Sequence, residues 1–232
     1  MRALLLSTVL LVSCGHKSTS DSEWGKLKGN DPTFMDLAPG AKVLICGDYQ
    51  KQANNALWEI NQIVAREFRV TGAYSCATYR KYQASIQTFR DGYYCREEGV
   101  LGYHTQEAKH HSIVICPLAR GTEAETILHE VVHAWGVCDQ YSEVTTARAF
   151  NSNCDSRFRS KKAGVSIMNA GSSDAPKHLT PDDVLGLRVM ACRSNWNNYQ
   201  WSIPTSWKTS ALKTEILRLE KNYGYTFLTG CK

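Results

Sequence analysis

An α+β fold is predicted from two kinds of apolar pattern. Ala41-Lys42-Val43-Leu44-Ile45-Cys46 and Ser112-Ile113-Val114-Ile115-Cys116 are short apolar runs of strand length, the second stopped by Pro117. Between them Ala53, Leu57, Ile60, Val64 and Phe68 recur at helical spacing, with Ala56 and Ile63 alongside, which predicts a long amphipathic helix. A second helix follows from Thr122. Ile127, Leu128, Val131, Val132 and Trp135 give it an apolar face, and Thr122 with Glu125 has the spacing of a capping box.

The remaining elements are placed by the same signals. Residues 69–120 read as strand-rich: Tyr82 to Phe89 alternates in part, and Asp91-Gly92 offers a turn. Residues 140–165 are polar and loop-like. Leu179-Thr180-Pro181-Asp182-Asp183 opens a third helix, with Thr180 as cap, Pro181 at the first helical position and acids in the first turn. Val184, Leu185, Leu187, Val189 and Met190 supply its apolar positions. The C-terminal region holds Trp196, Tyr199, Trp201 and Trp207, then a helix carrying Leu212, Ile216 and Leu219. Those aromatics serve either as cover for the back of the domain or as a contact surface; cover is the simpler role.

With 232 residues, 43% hydrophobic and 21% charged, the chain is long enough for one sizeable domain and a modest appendage. Its formal charge of +5 comes from scattered Lys and Arg, with no basic run and no nucleic-acid motif, so nucleic acid is not an expected partner. Residues 1–13 read as a signal peptide: Met1-Arg2 is a basic start, and Ala3 to Val12 is an apolar run too short to span a bilayer as a stable helix. It closes on Leu11-Val12-Ser13-Cys14, which resembles the lipobox of bacterial lipoproteins, where cleavage before the cysteine leaves a lipidated N-terminal residue. The alternative is a plain secretory signal with an incidental cysteine. Acyl chains on Cys14 would hold the protein at a membrane of the bacterial envelope, outer membrane or cell surface, since each buried methylene adds about 0.8 kcal/mol. Residues 14–40, rich in Ser, Lys, Gly, Asp and Pro, read as a tether or a short propeptide.

Apart from Cys14, eight cysteines remain: Cys46, Cys76, Cys95, Cys116, Cys138, Cys154, Cys192 and Cys231. An even number in an exported chain predicts disulfides. Cys138 with Cys154 and Cys192 with Cys231 are attractive pairs. No C-x-x-C occurs that would suggest a zinc-cysteine cluster.

The chemistry is concentrated in His129-Glu130-Val131-Val132-His133. Residues four apart share a helix face, so His129 and His133 can offer two imidazoles to one metal ion, with the Glu130 carboxylate beside them as a general base. Gly136 can turn the chain and bring Asp139 back as a third ligand. Two His and one carboxylate leave a fourth zinc position open, as a catalytic site requires. The rival reading is a core helix with two ordinary histidines, and the rival third ligands are Glu143 and Asp155. His104, His110 and His111 are candidates for a second metal, although exposed loop positions are the commoner role of such histidines.

His129 through Asp139 fits H-E-x-x-H-x-x-G-x-x-H/D, and Ser166-Ile167-Met168-Asn169-Ala170-Gly171 looks like the methionine turn that follows it; together they resemble the metzincin metalloproteases. The resemblance covers roughly residues 41–191. Asp as third ligand is the rarer form, found in snapalysin-like proteases, and Ala170 stands where several members have a metal-assisting tyrosine; Tyr141 is a candidate substitute. The resemblance implies a twisted, mainly parallel sheet with an edge strand that pairs with extended peptide, 112–116 or its neighbour. It further implies a long helix, a metal helix over Met168, and a catalytic domain at 41–191, followed here by a disulfide-linked C-terminal subdomain at 192–232. The expected function is zinc-dependent endopeptidase action outside the cytoplasm, with Glu130 catalytic, His129, His133 and Asp139 on one zinc ion, and Cys14 as anchor. The alternatives are a non-catalytic surface binding lipoprotein and a zinc amidase acting on peptidoglycan peptides.

Overall fold

The computed structural model describes residues 33–90, 95, 101–137, 166–168, 176–192, 203–224 and 226–232. Five strands and four helices are formed among them: β1 (Lys42–Gly47), α1 (Gln50–Val64), β2 (Arg69–Ala73), β3 (Ala84–Arg90), β4 (Gly102–Glu107), β5 (His110–Ile115), α2 (Glu123–His133), α3 (Pro181–Cys192) and α4 (Ser210–Tyr223). The class is α+β, with one mostly parallel sheet in the order β2-β1-β3-β5-β4. β1, β2, β3 and β5 run parallel, and β4 is antiparallel to β5.

One face of the sheet meets the helices. Ile113 and Ile115 of β5, Ile86 of β3 and Val43 and Ile45 of β1 are fully or almost fully buried, in one cluster with Ala53, Leu57, Ile60 and Val64 of α1 and Ile127, Val131 and Val132 of α2. Alternation along β5, buried at His111, Ile113 and Ile115 and half-buried between, is the period-two signature of a strand covered mainly on one side. β5 lies between β3 and β4, so 112–116 is interior; its neighbour β4 is the edge strand.

The long helix is shorter than the periodicity predicts. It ends at Val64, because Ala65 adopts a left-handed conformation (φ 49°, ψ 46°) that stops helical hydrogen bonding. Phe68 reaches the same core from the loop before β2 and stacks on Trp135 at 5.7 Å. The predicted T-x-x-E box of α2 does not form either. Thr122 is the N-cap residue, but its hydroxyl donates to Ala119 O rather than accepting from the helix, and the Glu123 carboxylate caps Gly121 N instead.

Two segments join the core beyond the predicted bounds. Thr33–Leu37, which the sequence places in the tether, forms a capped 3-10 turn with Phe34 and Met35 fully buried. Phe34 N donates to Ala134 O at 2.9 Å, and its ring meets Trp135, Phe68 and His111 edge-on. At the other end Trp207, Leu212, Ile216, Leu219 and Phe227 belong to the same apolar cluster as α1, α2 and α3, so the described C-terminal part shares the main core and Trp207 acts as cover. Trp196, Tyr199 and Trp201 lie outside the described residues.

The Cys192–Cys231 bridge forms as expected, and at a separation of 39 residues it stabilises the C-terminal staple by about 4 kcal/mol in chain entropy. Cys46–Cys76 and Cys95–Cys116 are further bridges. Cys138 and Cys154 lie outside the described residues. No described helix is long and apolar enough to cross a membrane.

His110 starts β5, with Nδ1 3.0 Å from Ser85 Oγ. Burial pushes its pKa below the ordinary 6.5, against the opposing pull of Glu107. The unfolded chain then takes up a proton near pH 6 that the folded chain resists, so stability falls on acidification below about 6.5. His110→Gln removes part of that dependence: denaturant midpoints at pH 7.5 and 5.5 should differ less than in the wild type. An undiminished difference would assign it to other groups.

Candidate metal centre

α2 carries the site. Ile127 and Val131 of this helix join the core it shares with the sheet, and Glu130 and His133 lie against Gly102 and His104 of β4. The ligand-type atoms of these three residues lie within 4.8 Å of one another, so they could hold a metal ion. His129 is 3% exposed and Glu130 fully buried; their rings and carboxylate are part of the protein interior rather than a solvated face. Glu130 Oε2 sits 4.0 Å from His133 Nε2.

The tautomers follow from the partners. His129 Nδ1 lies 2.8 Å from Ile167 O, and His133 Nδ1 lies 2.8 Å from Val137 O. A carbonyl only accepts, so both Nδ1 atoms carry the proton and both Nε2 atoms present a lone pair. This is the usual arrangement of metal-binding histidine, in which the far nitrogen is fixed by a second partner. The donor set therefore fits a borderline metal such as zinc. Gly136, at φ 83°, makes the turn that returns Val137 O to His133. The bulk of a side chain would strain that left-handed backbone.

Ile167, the carbonyl partner of His129, belongs to the predicted methionine turn. Met168 is fully buried and belongs to the same apolar core as α2. The turn is tied down by a residue outside the motif. The buried Asp183 carboxylate accepts from Ser166 Oγ and from Ile167 N (3.1 Å), and also from Thr180 N and Thr180 Oγ1 at 2.8 Å each. Thr180 Oγ1 in turn accepts from Asp183 N at 3.3 Å, so the expected cap of α3 forms as a reciprocal box. One carboxylate thus starts α3 and holds the turn whose carbonyl orients His129.

No protein-family model, curated protein or solved structure matches this chain.

Of the other sequence-predicted residues, Asp139, Glu143, Asp155, Tyr141, Ala170 and Cys14 lie outside the described residues. His104 and His111 are placed otherwise than expected: they are buried strand residues, not exposed loop positions. They are diagonal neighbours on the helix-covered face of β4 and β5, with His104 Nε2 2.8 Å from His111 Nδ1. A hydrogen bond of that length uses one nitrogen of each ring on the other, which argues against a second metal held between them. His104 also lies 5.5 Å, ring to ring, from His133, so the edge strand reaches the metal helix directly. Sequence reading missed Asp183 as a site residue. Its only signal was its place in T-P-D-D, which reports a helix start and not a contact with residue 167.

Asp183→Ala should lower stability by about 3 kcal/mol, because it strands buried donors. It should also weaken metal binding about 10–100-fold through the loosened Ile167 carbonyl. Thr180→Ala, which loses the cap alone, should cost about 1 kcal/mol and leave metal affinity nearly unchanged. Melting curves and metal titration of both variants check this; equal metal affinities for the two would disconnect Asp183 from the site.

Proposed function

We propose that this chain is a zinc-dependent endopeptidase of metzincin type, tethered through lipidated Cys14 and working outside the cytoplasm. The observation that carries the reading is the His129–Glu130–His133 cluster, with both imidazoles presenting Nε2 and one of them held by the candidate methionine turn. Glu130 is fully buried beside His133, where a carboxylate can serve a metal-bound water. The burial of Trp207 weighs against the alternative of an aromatic binding surface. The three disulfides among the described residues suit an oxidising compartment.

In this reading His129 and His133 hold zinc together with Asp139. The bound metal would polarise the scissile carbonyl and acidify water. Glu130 takes the proton from the attacking water and delivers it to the leaving amine nitrogen. The substrate is an extended peptide, added as a further strand beside β4, the edge among the described strands. β4 is the edge that serves this purpose because Gly102 lies against Glu130 and His104 against His133; β2, the opposite edge, is at the far side of the sheet.

Glu130→Gln should keep the fold and full metal content and lose about 10²–10⁴ in kcat on a protein substrate. Asp139→Ala should lose metal and activity together, while Glu143→Ala and Asp155→Ala keep both. Metal analysis with chelator-controlled peptidase assays decides. Full occupancy in Asp139→Ala, with loss in either of the other two, overturns the metzincin ligand set; near-wild-type activity in Glu130→Gln overturns the mechanism.

A further inference from the structure

Gly102 opens β4 and lies against α2. A Cβ at this position would lie 2.9 Å from Thr126 Cγ2, 3.0 Å from Glu130 Oε1 and 3.2 Å from Val114 O. Gly102 is not among the positive-φ glycines, so its backbone does not demand glycine. Space does. Thr126 and Glu130 are four residues apart and share the helix face turned to this strand. The Thr126 hydroxyl donates to Thr122 O at 2.9 Å, which fixes the rotamer and points the methyl group at Gly102.

We infer that Gly102 is a positioning residue for Glu130: its bare Cα lets the carboxylate rest against the same strand that registers the peptide. The inference rests on the peptidase reading above. Of the three atoms that a new methyl group would press, Val114 O is backbone inside the β4–β5 ladder and Thr126 Cγ2 is stiff. Glu130 Oε1 ends a flexible side chain and is the atom that yields. Displacement of the base is then the chief response to any side chain at 102. The chemistry is sensitive to it, because base and scissile carbonyl would both take their positions from β4: the peptide through backbone pairing, the base through contact at Gly102.

The bland reading is that Gly102 serves only the packing of α2 on β4, through Thr126. Thr126→Ser separates the two, since it removes the pressing methyl group and keeps the hydroxyl. The experiment compares wild type, T126S, E130D, G102A/T126S and G102A/T126S/E130D by melting temperature, zinc content, and kcat and KM on one peptide substrate. The expected result is that G102A/T126S keeps the melting temperature and zinc content of T126S, with KM within about twofold, while kcat falls roughly 10–100-fold. Shortening the base by one methylene should then restore part of kcat in the triple variant, whereas E130D in the wild-type background lowers it. Equal kcat in T126S and G102A/T126S overturns the inference, as does a double variant that loses folding or zinc in step with kcat, which makes Gly102 a packing glycine. Absence of chelator-sensitive peptidase activity in the wild type is a different failure: it removes the peptidase reading and the inference with it.

Discussion

The Asp183 carboxylate is the constraint on which the candidate site depends. It is 1% exposed and accepts from Ser166, Ile167 and Thr180, residues separated in sequence but gathered at the N-terminus of α3. A buried carboxylate is tolerated because donors surround it and the helix N-terminus favours negative charge. Its position fixes the backbone at Ile167. The Ile167 carbonyl fixes the His129 tautomer, and the tautomer leaves Nε2 as the nitrogen with a lone pair to offer a metal ion. A helix start far along the chain thus sets the chemistry of the first histidine of α2.

The second histidine is governed from the other side. His133 closes α2, and the Gly136 turn brings Val137 O back to its Nδ1. Around that end of the helix the protein has built an aromatic brace from Phe34, Phe68 and Trp135, with Phe34 N bonded to Ala134 O. Burial of such rings contributes on the order of a few kcal/mol each and resists fraying of a helix terminus that would otherwise be mobile. The two histidines are therefore held by independent supports, α3 for His129 and the Thr33–Leu37 segment for His133, and α2 between them is pinned to the sheet by its apolar stripe.

On its fourth flank α2 meets β4. The contact is close at Gly102, and His104 leans toward His133 while bonding to His111. Polar side chains on the covered face of an edge strand are costly unless paired, which explains why these two histidines occur together on adjacent strands. Among the described strands the same strand is the edge of the sheet. The candidate site is consequently built on one junction of helix and strand, which gives tighter geometry than a loop-borne site.

Sequence alone determined the elements whose signal is local. The β1 and β5 runs, the stripe of α1 up to Val64, the metal helix with its His129–Glu130–His133 spacing, the Thr180-Pro181 start of α3 and the Gly136 turn each depend on residues within a few positions of one another, and periodicity or a motif reports such relations directly. Where local rules misled, tertiary contacts had won: Phe68 kept helical spacing but packs from a loop, and Thr122 spends its hydroxyl on Ala119 O rather than on a cap. Only the tertiary structure decided the order β2-β1-β3-β5-β4, the choice of β4 as edge, the inclusion of Thr33–Leu37 in the core, the His104–His111 pair, and the reach of Asp183 to Ile167. Those relations join residues distant in the chain, and a single sequence carries the chemistry of each partner but not the fact that the two meet.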